Sequence, residues 1–131
     1  MTILTRDQIL QANDLVTETV EVPEWGGSVF VKSLTGVERD QFEAAIVELK
    51  GRDTKINMRN ARARLVALSV VDEEGKKVFS PNDISLLGAK SAAALQRVFN
   101  VAMRLSGISE EDVRELTEEL EENPFDDSLS A

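Results

Sequence analysis

The 131-residue chain contains no Cys and no His, and its 24 acidic against 15 basic side chains give a formal net charge of -9. Thiolate nucleophiles, disulfides, imidazole bases and the usual zinc or iron sites are thereby excluded, leaving carboxylates, Lys or Ser as the groups open to catalysis. The charge is unevenly placed: Gly107 to Ala131 hold ten acidic residues and one basic residue, Arg114, whereas Met1 to Ser106 hold fourteen of each.

A chain of this length suits one domain and buries roughly two thirds of the surface its unfolded form exposes. With 42% apolar residues but only five Phe, one Trp and no Tyr, the core is expected to be aliphatic. The N-terminus has no charged leader, apolar stretch or cleavage site, and no apolar run approaches the roughly 18 residues of a membrane span, so a soluble, cytoplasmic protein without membrane contact is expected.

Thr5 followed by Gln8 has the form of a capping box and predicts a short helix from Thr5 to about Asn13. From Leu15 the period changes to two, with Val16, Glu18, Val20 and Val22 on one side and Thr17, Thr19 and Glu21 on the other, which is a strand pattern. Pro23-Glu24-Trp25-Gly26-Gly27 then breaks the ladder before Ser28 to Leu34 resumes extended sequence, so a hairpin is expected. Thr35 and Glu38 form a second capping box, opening a helix from Val37 to Lys50 with Phe42, Ile46 and Leu49 on one face and Gly51 as its cap.

Arg52 to Lys55 reads as a polar connection, and Ile56 to about Val71 as a helix whose Leu65-Val66-Ala67-Leu68 half is buried. Asp72 to Lys77 forms a turn, followed by a brief extended Val78-Phe79. Ser80-Pro81-Asn82-Asp83 supplies an N-cap, a Pro at the first helical position and an acid at the third, predicting a short helix that ends near Gly88. Ser91 to Leu105 shows the clearest helical spacing, through Leu95, Val98, Phe99, Ala102 and Leu105, with Gly107 just beyond. Ser109 caps a final acidic helix to about Glu122, and Asn123-Pro124 stops it.

The expected architecture is therefore α+β: an N-terminal antiparallel β-hairpin packed on a mostly helical body, within a single domain of residues 1–122, followed by a disordered acidic tail at 123–131.

The chemistry-bearing features are few. The last helix carries Glu111, Glu115, Glu118, Glu119 and Glu122 around an apolar stripe of Val113, Leu116 and Leu120, which suits either weak docking by the stripe or a solvated terminal helix. Lys50 to Arg64 carries a local charge of +5. Nucleic-acid binding is disfavoured by the overall negative charge and the lack of interleaved aromatic residues, so a protein partner, self-association or fold-back of the acidic end is preferred. Trp25 at the hairpin tip reads either as a binding anchor or as cover on the sheet. No Ser lies in a nucleophile-elbow setting, no phosphate loop or EF-hand pattern is present, and neither a catalytic residue nor a cofactor or metal site is nominated.

Three segments taken together resemble a known family: Val22-Pro23-Glu24-Trp25-Gly26-Gly27-Ser28-Val29-Phe30-Val31-Lys32 running into Leu34 to Glu43, then Asp72-Glu73-Glu74-Gly75-Lys76-Lys77-Val78-Phe79-Ser80, then Leu87 to Leu95 and on through Leu105-Ser106-Gly107-Ile108-Ser109. Their order and spacing, over about Val22 to Leu120, resemble the tail assembly chaperones of long-tailed, siphovirus-type phages and prophages. The resemblance implies a non-catalytic helper in the host cytoplasm that coats the tape measure protein, gives way as tail tube protein polymerises and is absent from the mature virion. In many such phages a frameshift near the gene's end makes a longer product that recruits tube protein. The alternative is a structural tail or head-connector subunit retained in the particle.

The family supplies no agreed set of site residues. On physical grounds, an apolar groove with a charged rim would suit a long helical partner with exposed apolar faces. The partner-binding candidates are Trp25, Phe42, Ile46, Leu49, Leu95 and Phe99, with Arg59 and Arg62 from the basic segment.

Overall fold

The computed structural model describes residues 2–50, 53–56 and 60–109, with the backbone alone described at 47–50 and 53–56. The fold is α+β. Helix α1 (Arg6–Gln11) is followed by strands β1 (Thr17–Val22) and β2 (Gly27–Lys32), then by helix α2 (Gly36–Ile46) and a second pair of strands, β3 (Val47–Lys50) and β4 (Asp53–Ile56). Helix α3 (Ala61–Ser69), the two-residue strand β5 (Val70–Val71), α4 (Ile84–Gly88) and the long α5 (Ala92–Leu105) complete the described body.

β2 is the central strand of an antiparallel sheet ordered β1-β2-β5, and β3 pairs with β4 separately. The β1-β2 register places Val20 opposite Val29 and Glu18 opposite Val31. Residues opposite one another share a face, so Val20, Val22, Val29 and Val31 form one apolar surface, as the period-two pattern requires. α5 packs on the sheet and α3 packs on α5, joining α4 to the body. The core between these layers is aliphatic, with Val22, Val31, Leu65, Val66, Val98 and Ala102 all fully enclosed.

The turn chemistry read from the sequence forms as expected. Thr35 N–H donates to Glu38 Oε1 at 2.9 Å while Glu38 N–H donates to Thr35 Oγ1 at 3.1 Å, closing the box that starts α2. Thr5 and Gln8 do the same at α1. Gly26 takes φ +79 at the hairpin tip. α5 ends in a Schellman motif, in which Gly107 at φ +70 lets its own N–H reach the Arg104 carbonyl and the Ile108 N–H reach that of Met103.

Two boundaries differ from the sequence expectation. The helix expected to run from Val37 to Lys50 stops at Ile46, and Val47–Lys50 pairs antiparallel with Asp53–Ile56, a stretch expected to be a polar connection. That register sets Val47 opposite Ile56 and Lys50 opposite Asp53, so the backbone reverses and pairs with itself here instead of continuing the helix. Gly51, expected to cap the helix, lies outside the described residues. The helix expected from Ile56 to Val71 begins only at Ala61, after Asn60 at φ 58, and yields to β5 because β-branched Val70 and Val71 pair with Val31 and Phe30 of the sheet. The acidic helix and tail expected from Ser109 onward lie outside the described residues beyond Ser109 itself.

Candidate partner-docking site

The N-terminal arm is the most exposed apolar part of the described chain. Its capping box fixes the start of α1, and Leu4 and Ile9 stand at the positions of a hydrophobic staple, before the cap and at the fourth helical residue. Yet none of the residues of α1 is buried, and Ile3, Leu4, Ile9 and Leu10 are each more than half exposed. A helix of this length is marginal on its own and is normally held by packing of an apolar face. A capped helix offering four large aliphatic side chains to solvent has the form of a docking surface.

A second feature is a cleft of about 290 Å³ between α2, α3 and the segment from Lys77 to Ile84. Its walls are largely apolar, from Phe42 and Ala45 on α2, Ala67 and Leu68 on α3, and Phe79, Pro81 and Ile84 opposite. Arg64 of α3 also lines it, and the Arg64 Nε–H is buried without an acceptor among the described residues. One wall is held by Lys77, which pairs with Glu38 of α2 and donates to the Leu68 carbonyl at 2.8 Å. Burial pushes the Glu38 carboxyl up, but its bonds from Lys77 and from Thr35 outweigh that and leave its pKa below the ordinary value.

The residues nominated from sequence fall into three groups. Phe42, Ile46 and Leu95 lie in the core, at 3%, 1% and 5% exposure, so their side chains hold the body together, Phe42 also reaching the cleft floor. Trp25 and Phe99 are half-buried and pack on that core; the Trp25 indole N–H is enclosed without an acceptor among the described residues. Arg62 is exposed and its Nε–H donates to Gln96 Oε1, linking α3 to α5. Arg59 and the Leu49 side chain lie outside what the structure describes. Sequence reading passed over Ile3, Leu4, Ile9 and Leu10 as well as Leu68, Phe79 and Ile84. The paired aliphatics flanking the first capping box were the available signal for the arm.

The sheet and α5 are joined at the surface by two ion pairs. Arg97 meets Glu24 through two bonds, and Arg104 Nη2 meets Glu18 Oε2 at 2.7 Å. Among the described residues no group of His, Cys, Asp or Glu is arranged to hold a metal ion, and no helix is long and apolar enough to cross a membrane.

A family model described as phage tail assembly chaperone matches residues 5–119. The chain belongs to the phage tail assembly chaperone family. This tail assembly chaperone is similar to the solved structure of the bacteriophage HK97 tail assembly chaperone, with a TM-score of 0.56 and 21% identity over 79% of this chain and 95% of that one. At that identity the likeness establishes a shared fold. No curated protein matches the sequence. The family is one of non-catalytic proteins that act with protein partners in tail assembly, which is the setting for an exposed apolar arm and an apolar cleft.

Proposed function

We propose that this tail assembly chaperone binds the tape measure protein in the host cytoplasm, keeps it soluble while the tail is built, helps recruit tail tube protein and leaves before the virion is complete. The observation that carries the reading is the N-terminal arm, where Ile3, Leu4, Ile9 and Leu10 flank and form a capped helix yet stand exposed. A long helical protein with apolar faces is aggregation-prone until those faces are covered, and aliphatic side chains on a short preformed helix cover such faces at little ordering cost. The acidic C-terminal residues keep the coated assembly apart by mutual repulsion. Recruitment of tube protein is assigned to a frameshifted longer form, and self-association along the tape measure protein is compatible with the same surfaces.

Protein analysis of purified virions tests the reading against its alternative. Absence of the chain from finished particles, with its presence on tape measure protein isolated during assembly, is the expected result. A fixed copy number in the finished particle assigns it instead as a structural tail or connector subunit.

A further inference from the structure

We propose that the acidic C-terminal residues of the same chain, 110–131, occupy the cleft between α2 and α3, laying Val113, Leu116 and Leu120 against its apolar walls with a neighbouring carboxylate on Arg64. Four observations lead there. The cleft is apolar, so its occupant must present aliphatic side chains at close intervals, and Val113, Leu116 and Leu120 recur at spacings of three and four. The Arg64 Nε–H is buried in the cleft wall without an acceptor among the described residues, so the occupant must also bring an oxygen, and a buried guanidinium donor selects a carboxylate.

The third observation is where the described chain ends. The hydroxyl of Ser106 accepts from the Leu34 N–H at 2.9 Å, one residue before Thr35, the cap of α2. Ile108 is then buried, so the chain leaves the body beside the first turn of the helix that forms one cleft wall. Gln41 lies about 9 Å along that helix from Thr35, and thirteen residues span about 20 Å even when coiled as tightly as a helix, so the segment is long enough to reach the cleft. The fourth is charge. Residues up to Ser106 are balanced and the excess is all in the segment that follows, where Glu115, Glu118 and Glu119 flank the aliphatic positions. A tethered occupant also has an effective concentration in the millimolar range, which a second copy or a free partner does not match in dilute solution.

The inference goes beyond the tape measure reading, and its test contains no partner protein. The chain has no Cys, so Gln41→Cys with Leu116→Cys in the full-length chain carries the only two thiols. Treatment of dilute protein with a short bismaleimide is expected to join the two within one chain, detected by intact mass and peptide mapping. The rate should exceed by about tenfold that of a Ser28→Cys, Leu116→Cys pair, whose first thiol sits near the hairpin tip, and should fall about fivefold when Glu115, Glu118 and Glu119 are replaced by Lys. Equal rates for the two pairs, a rate indifferent to the Lys replacements, or links that join two chains would each overturn the proposal, the last assigning the cleft to a second copy.

Discussion

Arg97 in α5 grips Glu24 at the hairpin tip through two parallel bonds, Nη1 to Oε1 at 2.6 Å and Nη2 to Oε2 at 2.9 Å, across 73 residues of sequence. The fork geometry is specific to a guanidinium facing a carboxylate, and it fastens the turn bearing Trp25 to α5. The Arg97 bonds, aided by a backbone bond, hold the Glu24 carboxyl down from 4.5 to about 2.

A pH dependence follows. Because the folded pKa of Glu24 is depressed, the pair's contribution to stability is fully present above about 4.5 and is lost as pH falls through about 2. Arg97→Ala is expected to lower the thermal midpoint at pH 7, with the gap to the parent closing as the pH approaches 2. Added salt should narrow the gap too, since both side chains are partly exposed. Thermal unfolding followed across pH checks this, and a gap independent of pH would contradict it.

Truncation should separate core from surface among the leucines. Leu65 is fully enclosed between α3 and the rest of the core, so Leu65→Ala is expected to cost about 2–5 kcal/mol in denaturant unfolding. Leu86 is 70% exposed, and Leu86→Ala should change stability by no more than about 0.5 kcal/mol.

The contrast bears on what the sequence discloses. Capping boxes at Thr5 and Thr35, the alternation through Val20 and Val22 and the spacing of Leu95, Val98 and Ala102 are local signals, and the elements they announce are present where expected. The change from α2 to β3 is not local: Val47 to Lys50 continue a helical spacing, and only the pairing with Asp53–Ile56 decides otherwise. Site residues were harder still. Periodicity shows which face of a helix is apolar but not whether that face meets the chain's own core or another molecule, so Phe42, Ile46 and Leu95 read like a groove although they are interior. α1 is too short for periodicity to act as a signal, and its exposure emerges only from the packing of everything else.

Gly107 is the residue whose backbone the end of α5 requires. At φ +70 it completes the Schellman motif that turns Ile108 into the core. Gly107→Ala, which places a Cβ in the left-handed region, should cost about 1–2 kcal/mol by equilibrium unfolding even though a Cβ there meets nothing nearby. A neutral outcome would mean that the turn relaxes.

Ser69 is fully buried at the end of α3, and its hydroxyl has no partner among the described residues. Removing an unsatisfied polar atom from the interior recovers its desolvation cost, so Ser69→Ala should stabilise the fold by about 1 kcal/mol. Chemical denaturation of the variant checks the sign, and destabilisation would point to a bond the hydroxyl makes in solution.

The most direct test is the solubility of tape measure protein co-expressed with the full-length chain or with an Ile9→Asp, Leu10→Asp variant. Both residues are exposed, so the variant should unfold within about 0.5 kcal/mol of the parent. The parent is expected to move tape measure protein from the pellet to the supernatant, and the variant is expected to leave it in the pellet. Tape measure protein that precipitates to the same extent with and without the parent chain would contradict that expectation.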